Sequence, residues 1–188
     1  AMIDRPTIPE PLNKPPRQAS MRRAAHAPRI DGDLSDTCWN EAAPMTDFVG
    51  LEASIPSAFQ TTARMAFDDA NLYLAVFAAD PDMASVRELL NKATKVWSAD
   101  SIEVFLDFNG DRRSYGQFIV NAKGLTSFER FDPPRQRVPW EADWQAAVST
   151  TPAGWTVEMA IPFRALNLTT VPPAGRRIGL NICRTRKA

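Results

Sequence analysis

The chain has 188 residues, which is enough for one domain with a substantial hydrophobic core. Its 22 basic and 22 acidic residues cancel, which argues against a general nucleic-acid binder and against a protein that binds anionic membranes. No apolar stretch approaches the roughly 20 residues that a membrane-spanning helix needs, so we expect no membrane span. The first residues also lack the apolar segment of a signal peptide, and we expect an exported form to have lost that signal already.

Residues 1–27 are rich in proline and show little apolar periodicity. This composition is typical of an extended leader or linker that lies along the surface of a domain. We therefore predict a Pro-rich leader over residues 1–27 and a single domain over residues 28–188.

The domain begins with a short acidic region that contains Asp31, Asp33 and Asp36. Asp31 and Gly32 form a tight-turn dipeptide, and Asp36 is placed to cap a short helix that carries Trp39 toward the core. Turn and cap roles account for the three carboxylates, whereas a structural calcium ion is the alternative explanation.

The rest of the chain shows short strand patterns, separated by turns that contain Pro, Gly, Asn and Asp. Strand patterns of this length with little helix predict an all-β protein, an antiparallel β-sandwich of immunoglobulin-like or jelly-roll type with short helical turns. Residues 132–139 are predicted to be a loop, and residues 85–92 a short helix or an irregular excursion. The predicted strands are 61–67, 72–79, 101–108, 115–122, 124–131, 144–150, 155–161 and 177–185.

The stretch over residues 96–108 is the first candidate for a binding site. Within its strand, even-numbered residues are apolar, while Glu103, Phe105 and Asp107 fall on the other face, as a two-residue period requires. Trp97 precedes the strand. An exposed indole ring offers an apolar surface to the face of a sugar, and a carboxylate accepts hydrogen bonds from hydroxyl groups.

The strand predicted over residues 115–122 places Gln117 and Asn121 on one face. If it pairs with the strand over residues 101–108, Glu103 and both amides project from the same surface, a set suited to adjacent sugar hydroxyls. The alternative is that these polar residues simply form the solvent face of a half-buried sheet.

The sequence gives little support to catalysis. His26, the single histidine, lies in the predicted leader, so a Ser-His-Asp or Cys-His arrangement lacks a base. Pairs such as Asp100 with Glu103 are poor candidates for glycoside hydrolysis, because nothing shapes a cleft with two opposed acids. We predict no catalytic residues. Cys38 and Cys183 are expected to be buried free thiols, with a disulfide between them as the alternative.

Several motifs, in this order along the chain, resemble carbohydrate-binding module family 9, a β-sandwich family related to the DOMON-like superfamily. The resemblance covers residues 28 to about 186. Its motifs are Ile-Asp-Gly-Asp-Leu at 30–34 with Trp39, Asp-Ala-Asn-Leu-Tyr-Leu at 69–74, the stretch 97–108, Gln-Phe-Ile-Val-Asn at 117–121, Trp-Thr-Val-Glu-Met-Ala-Ile-Pro at 155–162 and Ile-Gly-Leu-Asn-Ile at 178–182.

The resemblance implies that Trp97 is one of two tryptophans that sandwich a sugar, with Glu103 and Asn121 as its polar contacts. Gln117 is a further plausible contact. Two departures from the family pattern matter. Ile119 stands where a sugar-contacting arginine is expected, and the second tryptophan of the pair would lie beyond the last strand matched here. Trp140 and Trp144 are the candidates to replace it, although Trp144 also fits the core, where Trp39 and Trp155 are expected.

The predicted function is therefore non-catalytic saccharide binding by a module of a larger protein that is secreted, periplasmic or on the cell surface. We expect a monomeric domain linked to other domains, with no required cofactor. One alternative is a structural or interaction β-sandwich that has lost the sugar. A remote alternative is a haem-binding electron-transfer domain, for which His26 is the one available histidine ligand.

Overall fold

The computed structural model describes residues 17–50, 56–132 and 143–187, together with the backbone of residues 136–138. These residues form a sandwich of two five-stranded sheets, which confirms the predicted all-β class. Almost all neighbouring strands are antiparallel; the exception is the short first strand, which runs parallel to its neighbour.

The first sheet has the order β1-β2-β3-β9-β8, and the second has the order β10-β4-β5-β6-β7. Each predicted strand lies within about two residues of an observed one, a common uncertainty for strand ends. The strands are β1 Arg22–Arg23, β2 Thr61–Phe67, β3 Asn71–Ala79, β4 Ser101–Asp107, β5 Tyr115–Asn121, β6 Thr126–Asp132, β7 Gln136–Val138, β8 Gln145–Thr151, β9 Gly154–Pro162 and β10 Gly179–Thr185.

In the part of the chain that the structure describes, the helices are short. The helix α1 spans Thr37–Glu41, α2 spans Met83–Lys92, and two 3-10 helices span Val96–Ser98 and Phe163–Leu166. The predicted helix over residues 85–92 is confirmed, with its start two residues earlier, where the Asp82 side chain accepts a hydrogen bond from the Ser85 amide. No helix in the described ranges is long and apolar enough to cross a bilayer.

The core lies between the two sheets. Side chains at alternate positions of β3, β9, β4 and β5 meet there, and their burial accounts for most of the hydrophobic stabilisation. The alternation predicted for β4 is confirmed, because Ile102, Val104 and Leu106 are buried, whereas Glu103, Phe105 and Asp107 are not. The fully buried members include Leu72, Leu74, Val76, Ile102, Val104, Phe118, Val120, Trp155, Val157, Met159 and Ile161.

The outer face of the first sheet is covered by the chain segment that includes α1. Cys38 and Trp39 pack there on Tyr73, Ala75 and Ala160, which explains why β3 and β9 are buried on both faces. This confirms that Trp39 is a core residue. We call residues 24–42 the covering segment.

A buried carboxylate in β9 holds the covering segment in place. Glu158 is 0% exposed and accepts hydrogen bonds from the Gly32 amide at 2.8 Å, the Asp31 amide at 3.1 Å and the Trp39 indole at 2.7 Å. Burial raises the pKa of Glu158, and these three donors oppose that rise. Gly32 has φ +87°, and an added Cβ would lie 2.7 Å from the Val148 carbonyl carbon, so the turn requires glycine.

Three expectations need correction or refinement here. The predicted loop over residues 132–139 contains β7 and the end of β6. Within the predicted leader, Arg22–Arg23 forms β1, which pairs with the edge of β2, so this part lies along the domain as a strand. Asp36 precedes α1 but does not cap it: its carboxylate accepts a hydrogen bond from the Arg29 amide at 3.0 Å instead.

Candidate functional site

Trp97 is the most exposed large apolar side chain among the described residues. It lies in the 3-10 helix Val96–Ser98, just before β4, and 61% of it is accessible to solvent. The preceding residue, Val96, is buried and anchors this helix to the domain. The Lys95 ammonium lies 5.7 Å from the centre of the indole ring, within the range of a cation–π contact. An aromatic ring is therefore presented to solvent on an anchored segment.

Glu103 and Gln117 form a polar pair on the outer face of the second sheet. The Gln117 Nε2 atom donates to the Glu103 Oε2 atom at 2.8 Å, and both side chains are half-buried. In the β4–β5 register Gln117 lies opposite Phe105, and Glu103 lies opposite Ile119. The structure thus brings together two of the predicted site residues. Because an ionised carboxylate has two oxygens and several lone pairs, Glu103 can accept hydrogen bonds beyond the one from Gln117.

Asn121 occupies a different environment from the one predicted. Its side chain is fully buried, and its Oδ1 atom accepts from the Lys123 and Leu125 amides at 3.0 and 2.9 Å. Its Nδ2 atom donates to the Lys95 carbonyl at 3.3 Å. These bonds fix the turn after β5 and attach it to the segment that carries Trp97. A direct contact between Asn121 and a sugar stays a prediction.

Glu103 is flanked by weakly polar side chains. Ile119 lies opposite it on β5, and Cys183 lies opposite it on β10. Burial raises the pKa of the Cys183 thiol, and the nearby Glu103 carboxylate adds to this rise. Position 119 therefore holds isoleucine in place of the expected arginine. The Glu103 carboxylate has an aliphatic side chain on one side and a thiol on the other.

Two of the other tryptophans, Trp144 and Trp155, belong to the core. Trp144 is half-buried against the core and contacts the Phe118 ring edge-to-face, at 5.2 Å between centroids. Phe118 points inward, away from the surface with Gln117, so Trp144 lies on the core side of the sheet. Trp155 is fully buried, as predicted. Trp140 lies outside the described residues.

The calcium candidates do not form a compact cluster. The Asp31 carboxylate accepts from the Asp33 amide at 2.9 Å, and the Asp36 carboxylate is bonded to the Arg29 amide. Among the described residues, no group of three His, Cys, Asp or Glu side chains is arranged to hold a metal ion. The three aspartates thus have roles in turns, and calcium stays a prediction.

The two cysteines are free thiols, which corrects the disulfide alternative. Cys38 packs under the covering segment, on the outer face of the first sheet. Cys183 lies beside Glu103, on the outer face of the second sheet. The whole sandwich separates the two sulfur atoms, so they cannot bond without unfolding.

The sequence analysis missed an open groove of about 850 Å³ at the outer face of the first sheet. Its charged side chains are paired, Asp143 with Arg164 and Asp69 with Arg23. Its aromatic residues, Tyr73 and Phe163, are buried. The groove therefore offers no exposed ring, and the surface around Trp97 and Glu103 is the better candidate for saccharide binding.

Known proteins resemble the chain in sequence. Exoglucanase XynX of Acetivibrio thermocellus is 31% identical over 147 residues, which are 75% of this chain and 12% of that protein. Endo-1,4-beta-xylanase A of Thermoanaerobacterium saccharolyticum is 29% identical over 161 residues, which are 82% of this chain and 12% of that protein. The chain thus spans a small part of the curated relatives it matches.

Solved structures show the same fold. A family 9 carbohydrate-binding module from Caldicellulosiruptor kristjanssonii, solved in complex with cellotriose, has a TM-score of 0.64 at 22% identity, over 88% of this chain and 76% of that chain. The same kind of module in complex with glucose has a TM-score of 0.61 at 23% identity, over 86% and 75%. Residues 30–186 also match the family model described as "Carbohydrate family 9 binding domain-like". The chain therefore belongs to carbohydrate-binding module family 9, a family of non-catalytic binding modules.

Proposed function

We propose that this domain binds a neutral saccharide on the outer face of its second sheet, with one sugar ring stacked on Trp97 and hydroxyl groups bonded to Glu103. The observation that carries this proposal is the 61% exposure of Trp97 on an anchored segment that leads into β4, the strand that holds Glu103. A stacked ring contributes about 1 kcal/mol beyond the buried area. A charge-assisted hydrogen bond to the carboxylate adds to it.

Gln117 and Asn121 have supporting parts in this proposal. Gln117 holds one oxygen of Glu103 and thereby orients the carboxylate for a ligand hydroxyl. Asn121 donates a hydrogen bond to the Lys95 carbonyl and so holds in place the segment that carries Trp97. A second aromatic wall is not provided by Trp144, which packs in the core, and so we expect weak affinity with stacking on one side of the sugar.

The saccharide class follows from the relatives. Those named above are an exoglucanase and an endo-1,4-beta-xylanase, and the related modules were solved with cellotriose and glucose. We therefore infer that the ligand is a cello- or xylo-oligosaccharide or the polymer that contains it. The domain would be one module of a larger secreted, periplasmic or cell-surface protein, and would hold its neighbouring domains near the polysaccharide.

A protein-interaction domain without sugar binding is the second candidate. The isoleucine at position 119 and the core position of Trp144 favour it, because both weaken a sugar site. In that case Trp97 would anchor a protein partner. A glycan array that covers glucans and xylans separates the two candidates.

The test measures oligosaccharide binding by isothermal titration calorimetry for the wild type, Trp97→Ala and Val49→Ala. Val49 is a matched control, since it is the other exposed large apolar residue of the described part, at 56%. We expect Trp97→Ala to weaken binding about tenfold and Val49→Ala to leave it unchanged. Equal affinities for the wild type and Trp97→Ala would contradict the proposal. The thermal unfolding temperature should be the same for all three proteins, because both side chains are exposed.

A further inference from the structure

Three aromatic rings form a cluster on the outer face of the second sheet, farther along β4 than Glu103. Phe105 and Tyr115 meet edge-to-face at 5.8 Å between ring centroids. Tyr115 and Phe131 stack at 4.7 Å with an angle of 24° between their planes. All three rings are half-buried, so part of each faces solvent. We call Phe105, Tyr115 and Phe131 the ring cluster.

The ring cluster is continuous with the proposed site. Phe105 is two residues after Glu103 on the same face of β4, a distance of about 7 Å along the strand. It lies opposite Gln117, which donates to Glu103. Trp97 precedes the start of β4, whereas the ring cluster lies near its end. Along β4, the polar pair therefore lies between the segment that carries Trp97 and the ring cluster.

The solvent-facing side of an antiparallel sheet is usually polar, so rings at this position need an explanation. Cross-strand aromatic pairs stabilise sheets, and this accounts for their mutual contacts. It does not account for their place next to the Glu103–Gln117 pair. The exposed Asn181 lies opposite Phe105 on β10 and adds an amide at the border of the rings. Rings bordered by an amide suit the apolar face and the hydroxyl edge of a pyranose.

We propose that the ring cluster is a second saccharide subsite, so that the domain binds a linear oligosaccharide laid along β4 instead of a single terminal unit. This proposal rests on the proposed function, since Trp97 holds the other end of the same ligand. The ligand is neutral, because the Glu103 carboxylate lies on this face, where it repels uronate-containing chains. A longer oligosaccharide reaches both Trp97 and the ring cluster. Its affinity should therefore rise with the length of the oligosaccharide.

The experiment compares a disaccharide with a hexasaccharide of the same cello or xylo series, by calorimetry. We expect the wild type to bind the hexasaccharide about fivefold to tenfold more tightly. Phe105→Leu, which keeps an apolar side chain but removes the ring, should abolish this gain and leave the affinity for the disaccharide unchanged. If the ratio of affinities in Phe105→Leu equals that of the wild type, the proposal is wrong.

Two controls make the outcomes distinct. Phe67→Leu makes the same change to a half-buried ring of the first sheet and should leave the ratio unchanged. Equal thermal unfolding temperatures show that the variants are folded, and Phe131→Leu replaces Phe105→Leu if the latter unfolds. Trp97→Ala should weaken binding of both ligands. A wild type that binds both lengths equally overturns the second subsite alone, while a wild type that binds neither overturns the proposed function as well.

Discussion

Two glutamates, one in each sheet, occupy opposite kinds of environment. Glu158 in β9 is fully buried and accepts from three donors, two of them backbone amides and one an indole. Glu103 in β4 is half-buried. Among the described residues, Gln117 is the one hydrogen-bond donor to its carboxylate. The first carboxylate has its hydrogen-bonding capacity used by the protein, and the second retains capacity for a ligand.

The difference separates stability from binding. The covering segment, which Glu158 attaches to β9, packs on the outer face of the first sheet beside the open groove. On the outer face of the second sheet, Glu103 and the ring cluster stay partly accessible, and Trp97 is exposed on the segment that precedes β4. A polar residue in a strand thus acquires its role from what lies over it, and the residue type alone does not decide that role.

The largest effect is expected from Glu158→Ala. Removal of the carboxylate leaves three buried donors without their acceptor, which should lower the free energy of unfolding by about 3 kcal/mol. Urea-induced unfolding measures this loss. Glu103→Ala is the matched control and should change stability by less than about 0.5 kcal/mol. Similar losses for both variants would remove the distinction between the two glutamates.

A smaller contribution to stability, which depends on pH, is expected from Asp80, whose carboxylate lies on neither outer face. Asp80 joins the two sheets: its Oδ2 atom lies 3.0 Å from Arg184 Nη2 and 2.8 Å from Arg186 Nε. Although burial alone raises the pKa of Asp80, the hydrogen bond and charge of Arg186 and the charge of Arg184 bring it below its usual value. A lowered pKa stabilises the folded state above the ordinary aspartate range, and this stabilisation is lost as the pH falls through the lowered value.

We therefore expect Asp80→Asn to be less stable than the wild type at neutral pH, with a gap that narrows below about pH 4. Urea unfolding of both proteins over a series of pH values measures the gap. Other acidic groups titrate in both proteins, so the difference isolates Asp80. A gap of constant size down to acidic pH would show that Asp80 does not act through its charge.

Glu103→Gln should affect binding and leave stability nearly unchanged. Loss of the charge weakens hydrogen bonds to ligand hydroxyls, and we expect roughly a tenfold lower affinity for the oligosaccharide. Calorimetry measures the affinity, and urea unfolding checks the stability. Glu129→Gln, on the same face but in β6, is the comparison variant and should cost less affinity. If Glu103→Gln binds as tightly as the wild type, Glu103 is a surface residue without a ligand role.

The smallest effect is expected from a reducing agent. Cys38 and Cys183 lie on the outer faces of different sheets as free thiols, so dithiothreitol has no intramolecular disulfide to break. The thermal unfolding temperature should be the same with and without it, and thiol titration of the denatured protein should find two free thiols. A drop in unfolding temperature on reduction would mean that the outer faces are not placed as described.

The strands of the site were predictable because their signals are local. The two-residue alternation of β4 predicts which side chains are buried, and the turn after it predicts the pairing that places Gln117 beside Glu103. Asn121 follows the same alternation but is buried. Asn121 is the last residue of β5. In the turn that follows, the backbone amides of Lys123 and Leu125 donate to its side chain. Alternation cannot reveal where a sheet face ends.

The covering of the first sheet was not predictable in the same way. Glu158 stands out as the single charged residue in an apolar strand, which is a signal for a buried polar network. Its partners lie 119 to 127 residues away along the chain, however, and no local pattern connects them. The contact between Trp144 and Phe118 was not predictable for the same reason, because it depends on how two distant segments pack.

The buried amide of Asn121 also bears on how quickly the domain exchanges its ligand. By holding the Lys95 carbonyl, it keeps the segment with Trp97 in place before any sugar arrives. A ligand then needs neither to order this segment nor to wait for it to open, so its arrival and departure are limited by diffusion and by the strength of the contacts. If the domain binds a saccharide as proposed, each attachment is therefore expected to be short-lived.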